Sequence, residues 1–392
     1  MLIASPRRLA GRIQRSGGSA PCELLPRRDP PPEGTRREGG SGRSGVGAEP
    51  EGRRVASGSG RSQRHGRTGA HNGCYRGGVP TPTVCRICGG PLELMWPAPS
   101  AEHASPAFEP SCHRVGEHGD LYRCGSCGTV HQPSLPQGAE LQNLYREMAD
   151  ETYLAEERGR RRTARRLLDL LGAHVPSGRL LDVGCGHGLL LDEARSRGYD
   201  VEGIELSGAA AQYARERLGL RVLETSLEDP MLDGERYDAI ALVDVLEHVD
   251  DPLATLERVR SLLAPGGALL IVTPDPSSFV ARIAGRRWWC YLPAHYCLIP
   301  RGTLRKLLEA DGLAIVEDVP FVHSFTLGYW LAGLGERGGW ASSMIASLAS
   351  RLPRKLMLTA ALRDEHVLLA RARAADVRLQ APARAAGLTT SN

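Results

Sequence analysis

Short apolar runs alternate along the chain with stretches in which apolar residues recur at helical spacing. The apolar runs predict strands at 179–184, 200–205, 220–224, 238–243, 267–272, 313–319 and 365–370. The amphipathic stretches predict helices at 156–171, 188–197, 207–218, 251–263 and 301–311. Strands that alternate with helices at this spacing form a parallel sheet with helices on both faces. The pattern therefore predicts an α/β fold with a Rossmann-like, doubly wound sheet of seven strands.

Residues 322–357 do not follow this alternation. Their apolar and aromatic residues, among them Phe325, Trp330, Trp340 and Met344, predict one or two amphipathic helices inserted before the last strand. Two interpretations stay open: a lid over a substrate, and an excursion that only thickens the domain. Contact with a membrane surface is a third alternative.

The two ends of the chain lack any such pattern. Residues 1–78 consist mainly of Gly, Arg, Ser and Pro, and such a segment cannot bury enough apolar surface to offset its ordering entropy. We predict a disordered N-terminal tail and a flexible tail at 374–392. Three interpretations of the N-terminal tail stay open: an arginine-rich segment that binds nucleic acid, a flexible tether, and a segment without function. We favour the last, and one version of it is a translation start near Val79 or Val84.

The formal net charge of +4 is unevenly distributed. Residues 1–80 carry 15 arginines against 6 acidic residues, so the remaining residues have a net charge of −5. A mildly acidic folded part argues against a broad phosphate-binding face, and nucleic acid is not the expected partner. No apolar run reaches the ~18–20 residues that cross a bilayer, and the N-terminus lacks the apolar core of a secretory signal. We expect a cytoplasmic protein.

Four of the ten cysteines form two Cys-x-x-Cys pairs, Cys85 with Cys88 and Cys124 with Cys127. Each pair ends in a glycine-bearing turn, and two such pairs are typical of a tetrahedral structural zinc site. The sequence therefore predicts a zinc-ribbon-like module at 79–135, with these cysteines as Zn²⁺ ligands. Alternative ligands in the long loop between the pairs are Cys112, His113 and His118. The module either helps to bind or orient a substrate or serves only as a folding staple.

The most informative stretch runs from Leu180 to Gly188 and reads LLDVGCGHG. An apolar run ends in an acid, three alternating glycines follow, and a helix is predicted to begin directly after them. One βαβ step later, a second apolar run ends in Glu205, whose carboxylate can accept hydrogen bonds from both hydroxyls of a ribose. The spacing Gly-x-Gly-x-Gly differs from the Gly-x-Gly-x-x-Gly of dinucleotide binders. It favours S-adenosylmethionine over NAD as the cofactor.

Four further segments extend the match, at 237–240, 244–252, 263–267 and 269–274. Together with the glycine loop, they follow the order and spacing of a known family. From about residue 141 to residue 373, the chain resembles the class I S-adenosylmethionine-dependent methyltransferases, in particular the small-molecule branch with an N-terminal zinc ribbon. The resemblance implies a cofactor-binding core at 141–275, a C-terminal part of that core at 276–373, and a last strand that is antiparallel to its neighbours.

The resemblance also implies which residues bind the cofactor. Asp182 organises the glycine loop or reaches the amino group of the cofactor's methionine part, Glu205 takes the ribose, and Leu206 covers the adenine. Ser226 stands where many relatives have an acid for the adenine amine, and Asp244 lies close to the methyl group. The complete predicted set is Asp182, Gly184, Cys185, Gly186, Gly188, Glu205, Leu206, Ser226, Leu227 and Asp244.

Methyl transfer to a hydroxyl or an activated carbon requires the removal of a proton. The candidate bases are His248, after the strand at 238–243, and His295, in an aromatic-rich stretch, because a histidine titrates near neutrality. Glu247 is expected instead to cap or orient the helix that follows it. Positioning alone suffices for some acceptors, so a dedicated base is not required.

The sequence thus predicts an enzyme that methylates a small-molecule acceptor at oxygen or carbon. A sugar or another secondary metabolite is suggested only by analogy with zinc-ribbon relatives. One alternative is an RNA methyltransferase, which the acidic folded part and the lack of an Asn/Asp-Pro-Pro-Tyr motif disfavour. Another is a scaffold protein that binds the cofactor without turnover. The acceptor and the oligomeric state stay open.

Overall fold

The computed structural model describes residues 84–99, 118–133, 138–146, 153–335 and 356–372, with the backbone alone for 139 and 332–335. The predictions for the tails at 1–78 and 374–392 lie outside the described residues, as do Cys112, His113, Trp340 and Met344. Within the described ranges, no helix is long and apolar enough to span a lipid bilayer.

The helices and strands alternate largely as predicted, with boundaries that shift by one to a few residues. The strands are β1 (Leu92–Trp96), β2 (Leu121–Cys124), β3 (Val130–His131), β4 (Gly178–Val183), β5 (Tyr199–Ile204), β6 (Val222–Leu223), β7 (Tyr237–Val243), β8 (Leu263–Pro274), β9 (Cys297–Leu298), β10 (Leu313–Pro320), β11 (His323–Thr326), β12 (Met357–Ala360) and β13 (Glu365–Ala372). The α-helices are α1 (Ala139–Arg146), α2 (Glu157–Gly172), α3 (Leu189–Arg195), α4 (Gly208–Leu218), α5 (Pro252–Leu262), α6 (Phe279–Ala284), α7 (Arg301–Ala310) and α8 (Leu327–Gly335).

Seven strands form the central sheet in the order β10-β13-β8-β7-β4-β5-β6. The pairs β4–β5, β4–β7, β5–β6 and β7–β8 are parallel. The last strand, β13, is antiparallel to both β8 and β10. The predicted seven-stranded α/β fold is confirmed, and so is the antiparallel last strand that the family resemblance implied.

The central strands are buried on both faces, which explains their nearly continuous apolar sequence. In β4, Leu181 belongs to the core cluster that includes Val259 of α5 and Leu304 of α7. Its neighbour Leu180 belongs to the opposite cluster, which includes Leu171 of α2. Successive side chains of a strand point to opposite faces, so one apolar run serves two helical layers.

The carboxyl ends of β4, β5, β7 and β8 meet at one edge of the sheet. The connections from β4 and β7 leave toward opposite sides, since α3 and α4 lie on one face and α5 on the other. Ligands of doubly wound sheets bind at such a switch point, beyond the carboxyl ends of the strands. The fold therefore places the glycine loop after β4 at the expected position for a ligand site.

A second sheet joins the cysteine-bearing segment to the rest of the chain, which the sequence pattern did not indicate. Its strand order is β1-β2-β3-β9, and β9 comes from the stretch after β8. Val130 of β3 pairs with Leu298 of β9. The segment with the four cysteines thus shares its sheet with residues that follow the core strand β8.

The insertion at 322–357 contains a structure that was only partly predicted. Helix α8 lies within it, but β11 and β12 also pair as a two-stranded antiparallel sheet, and residues 336–355 lie outside the described part. The carboxylate of Glu156 accepts hydrogen bonds from the backbone N–H of Thr326 at 2.7 Å and from its hydroxyl at 2.6 Å. Gly159 of α2 faces the carbonyl of Ser324 so closely that a Cβ atom would lie 2.0 Å from that oxygen. These contacts fix β11 against α2.

Candidate functional site

A cavity of about 1130 Å³ opens at the carboxyl edge of the central sheet. One half is bounded by the loops after β4 and β5, which carry Asp182, Gly186 and Glu205. The other half is bounded by residues that follow β7, β8 and β10 and by the first residue of β13, Glu365. We call these the glycine-loop half and the acceptor half. Binding cavities for drug-sized ligands measure about 300–1,000 Å³, so this one has room for two small molecules side by side.

The three glycines of the loop after β4 all have positive φ angles, 67° for Gly184, 53° for Gly186 and 78° for Gly188. A Cβ atom on Gly184 would lie 2.8 Å from Val245, and one on Gly188 would lie 2.6 Å from Leu220. A Cβ atom on Gly186 would have no such close neighbour, since the nearest atom, in the side chain of Tyr153, would lie 3.8 Å away. The outer two glycines are thus required by packing and backbone angle, whereas Gly186 leaves its backbone open to a ligand.

Glu205 ties the two loops of the glycine-loop half together. Its Oε2 accepts a hydrogen bond from the N–H of Gly186 at 2.7 Å, and its Oε1 accepts one from the N–H of Ser207 at 2.7 Å. The side chain is 9% exposed, and burial raises the pKa of its carboxyl. Each carboxylate oxygen can accept a second hydrogen bond, so both stay available to a pair of neighbouring hydroxyls.

Asp182, the last acid of β4, is 3% exposed. Burial and the charge of Glu205 raise the pKa of its carboxyl to about 8. A buried carboxyl of this kind favours a positively charged partner, because a cation would replace the lost hydration of the carboxylate.

Asp244 follows β7 between the two halves of the cavity. Its φ angle of 55° is rare for a residue with a side chain. The carboxyl is open to the cavity, and enclosure by the cavity walls together with the charge of Glu365 raises its pKa to about 7. Strained backbone angles are concentrated at functional sites, and Asp244 fits that pattern.

Glu247, His248 and His295 lie together in the acceptor half, with ligand atoms within 4.8 Å of one another. Nδ1 of His295 donates to the carbonyl of Cys290 at 2.7 Å, while Nδ1 of His248 lies 2.9 Å from the Tyr145 hydroxyl. Burial lowers the pKa of His248 to about 4 and that of His295 well below its ordinary value. The two predicted bases are thus brought together as neutral imidazoles, and their role as bases stays a prediction.

The expected capping role of Glu247 is wrong. Its Oε2 accepts a hydrogen bond from the hydroxyl of Thr273 on β8 at 2.9 Å. The helix that follows, α5, is capped by Asp251, whose Oδ1 accepts from the N–H groups of Leu253 and Ala254. The difference arises because a 3₁₀ turn at Leu246–His248 separates Glu247 from the helix start.

Comparison with known proteins supports the sequence resemblance. A family model described as a methyltransferase domain matches residues 155–318. The ubiquinone biosynthesis O-methyltransferase of Cereibacter sphaeroides is 41% identical over 117 residues, which are 28% of this chain and 47% of that protein. The one of Dinoroseobacter shibae is 36% identical over 172 residues, which are 39% of this chain and 66% of that protein. The chain therefore contains a methyltransferase domain at residues 155–318, in agreement with the family that its sequence resembles.

The match to these methyltransferases is partial. The chain spans about half to two thirds of the length of the curated relatives that it matches. Among solved structures, an S-adenosylmethionine-dependent methyltransferase from Archaeoglobus fulgidus aligns at 19% identity with a TM-score of 0.40, and covers 57% of this chain and 100% of that one.

Nine of the ten predicted cofactor-binding residues line the cavity. They are Asp182, Gly184, Cys185, Gly186, Glu205, Leu206, Ser226, Leu227 and Asp244. Gly188 does not line it, because it caps the start of α3 and packs against Leu220 and Ala214. Whether these residues bind the cofactor stays a prediction.

Four cavity residues, Tyr153, Arg160, His323 and Glu365, were missed by sequence reasoning. The ring of Tyr153 stacks on His187 with centroids 4.8 Å apart, and the guanidinium carbon of Arg160 lies 3.8 Å from the Tyr153 centroid. On the far side, Nε2 of His323 lies 3.0 Å from Oε2 of Glu365. None of these residues belongs to a spaced motif, so single positions in the sequence gave no signal for them.

The four cysteines of the two Cys-x-x-Cys pairs come together as predicted, with all sulfur atoms within 4.8 Å of one another. The Sγ atoms of Cys85 and Cys127 are 3.6 Å apart, and those of Cys88 and Cys124 are 3.4 Å apart. Nε2 of His131 lies 3.1 Å from Cys85 Sγ. His118, an alternative ligand, is directed elsewhere, since its Nδ1 lies 2.7 Å from the carbonyl of Gly119.

Proposed function

We propose that the chain transfers a methyl group from S-adenosylmethionine to an oxygen atom of a small-molecule acceptor. The observation that carries this proposal is the single cavity in which a nucleoside-type site and an apolar, aromatic acceptor half adjoin at Asp244. The names of the relatives, which are O-methyltransferases, support oxygen as the methylated atom. In-line transfer needs both reactants held side by side with water excluded, and the cavity provides the room for that.

The glycine-loop half fits S-adenosylmethionine by the chemistry of its donor and acceptor groups. Glu205 would accept hydrogen bonds from the ribose hydroxyls, and the carboxylate of Asp182 would face the amino group of the methionine part. Arg160, which lies over Tyr153 beside the loop, would supply the positive charge for the methionine carboxylate. When bound, the sulfonium supplies an activated methyl group.

A small acceptor is favoured over RNA by the walls of the acceptor half. Phe325, Trp330 and Leu358 line it, and within the described residues no cluster of arginines does. RNA binding requires positive charge along the phosphate backbone.

The seven cysteines that the structure describes are all free, which supports a reducing compartment such as the cytoplasm.

We further propose that the four clustered cysteines bind a structural Zn²⁺ ion. A tetrahedral site with zinc–sulfur bonds of about 2.3 Å requires sulfur atoms about 3.8 Å apart, close to the 3.6 and 3.4 Å of the two measured pairs. Burial lowers the pKa of His131 to about 4, so its imidazole is neutral at pH 7. Its Nε2–H would donate to the Cys85 thiolate, as residues around metal ligands commonly do.

The cofactor proposal is tested by calorimetric titration of the full-length protein with S-adenosylmethionine and S-adenosylhomocysteine. We expect binding that Glu205→Ala weakens about tenfold to a hundredfold, since hydrogen bonds to a charged group contribute about 1.5–3 kcal/mol. Glu216→Ala, an exposed acid on α4, is the matched control and should bind like the unmodified chain. Folded protein that binds neither compound would refute the proposal. Transfer of a labelled methyl group to RNA but to no small molecule would replace it with the RNA alternative.

A further inference from the structure

The topology brings His323 and Glu365 together at the carboxyl edge of the sheet. Glu365 begins the antiparallel strand β13 and pairs with Pro274 at the end of β8. The neighbouring residue His366 pairs with Pro320 at the end of β10. The chain that leaves β10 therefore passes the start of β13, and Nε2 of His323 lies 3.0 Å from Oε2 of Glu365.

This pair faces the cavity beside the position of Asp244. The side chains of His323 and Glu365 are 16% and 10% exposed, and both line the acceptor half. Three charged groups act on His323. They are Glu365 at the start of β13, Asp364 in the connection before it, and Asp244 after β7. Their negative charges raise the pKa of His323, although burial opposes them.

Aromatic rings also lie close to the imidazole of His323. The ring of Phe321 lies 4.6 Å from that of His323, the ring of Phe325 is stacked on it at 5.5 Å, and Trp330 lies at 6.2 Å. Tyr329 lies 4.3 Å from Phe325 and extends the same wall. A wall of this kind favours a flat, uncharged ring, whose polar substituent can then reach the His323–Glu365 pair.

We propose that the acceptor is an aromatic alcohol and that His323, oriented by Glu365, takes the proton from its hydroxyl. This inference rests on the proposed function. The acceptor oxygen forms the new bond to the methyl carbon, the carbon–sulfur bond breaks with its electron pair going to sulfur, and the hydroxyl proton passes to the imidazole. Glu365 stabilises the imidazolium that results, as a carboxylate does for a histidine base in other enzymes.

His323 differs in this respect from the two histidines on the opposite wall. His295 donates to a backbone carbonyl, and the carbonyl of Ala294 lies 3.1 Å from Nδ1 of His248. Neither has an ion pair with a carboxylate among the described residues, and a base whose protonated form is disfavoured by burial accepts a proton poorly at neutral pH. The imidazole with a carboxylate partner is the better proton acceptor.

The test uses para-nitrophenol, whose absorption spectrum distinguishes the phenol from the phenolate, and the full-length protein saturated with S-adenosylhomocysteine. We expect the bound probe to be present as phenolate at a pH about one unit below its pKa in water, because the imidazolium stabilises the anion. His323→Gln and Glu365→Gln should remove this signal. The matched controls are His174→Gln and Glu317→Gln, which break a similar pair, 2.9 Å apart, away from the cavity.

The unmodified protein alone decides the main point, whether or not the variants fold. A probe that binds as neutral phenol, or that fails to bind while S-adenosylhomocysteine binds, would overturn the inference and leave the proposed function intact. A phenolate signal that persists in His323→Gln would also overturn it. Failure of S-adenosylhomocysteine to bind would instead count against the proposed function.

Discussion

The two halves of the cavity are built in different ways. The glycine-loop half comes from Asp182 to Gly188 and Glu205 to Ser207, which belong to one βαβ unit and are joined by the hydrogen bonds of Glu205. The acceptor half is assembled from side chains that lie far apart in the chain, such as Tyr145, His248 and Glu365. A contiguous unit fixes its own geometry, whereas a dispersed wall depends on every element that supports it. Disturbing the supports should therefore affect the two halves unequally.

The largest expected effect comes from the cysteine cluster. Cys124→Ser should abolish zinc binding and lower the free energy of unfolding by on the order of 3 kcal/mol or more, since structural zinc contributes directly to folding. Because the module shares its sheet with β9, just after His295, the loss should damage the acceptor half. Affinity for S-adenosylhomocysteine should stay within about threefold of that of the unmodified protein, because the glycine-loop half has no sheet in common with the module.

Metal content by mass spectrometry, chemical denaturation and calorimetry measure these three quantities. Cys297→Ser is the matched control, because Cys297 is equally buried on β9 but is not one of the four clustered cysteines. It should retain one zinc per chain. Purified protein that holds no zinc and that unfolds like Cys124→Ser would contradict the proposal.

The same contrast explains how much could be predicted from the sequence. Gly184, Gly186 and Glu205 were predictable because a turn with positive φ angles and a strand-end acid leave a local, spaced pattern. The sheet order was predictable from the alternation of elements together with the family resemblance. His323 and Glu365 were not, because their 3.0 Å contact is created by the pairing of β10 with β13. The same reason applies to β9, a two-residue strand defined only by its partner β3.

A second prediction concerns the glycine-loop half and pH. Since the pKa of Asp182 is raised to about 8, its carboxyl is mostly protonated at pH 6 in the protein without cofactor. The cofactor's amino group favours the carboxylate, so binding should release a proton, and affinity should rise by up to about tenfold per pH unit between pH 6 and pH 8. The raised pKa of Asp182 also affects folding, because the folded protein holds this proton more tightly than the unfolded chain does. The cofactor-free protein should therefore lose stability as the pH rises from about 4 toward 8.

Calorimetry in two buffers of different ionisation enthalpy counts the released protons. Asp182→Asn should bind more weakly and with little dependence on pH, whereas Asp200→Asn, an exposed acid on β5, should keep the dependence. Affinity of the unmodified protein that is independent of pH would show that Asp182 does not meet a cationic group. In that case, the assignment of the methionine part to this half would need revision.

The smallest expected effect tests the link between the cysteine module and the acceptor half. Gln132 directly follows β3 and is 1% exposed. Its Nε2 lies within hydrogen-bonding distance of three carbonyls, Leu292 at 2.9 Å, Pro293 at 3.2 Å and His295 at 3.2 Å. Gln132→Ala should cost about 1–3 kcal/mol, because buried carbonyls lose their donor.

In the binding of para-nitrophenol, this loss should appear as a severalfold decrease in affinity, since the wall that carries His295 is less well fixed. Zinc content and affinity for S-adenosylhomocysteine should not change in Gln132→Ala. The control is Gln212→Ala on the exposed face of α4, which should change neither the affinity for para-nitrophenol nor that for S-adenosylhomocysteine. Equal weakening of both ligands would mean that the two halves move as one body. Weakening of the phenol alone would mean that the module positions the acceptor wall through a single buried side chain, and is more than a staple for folding.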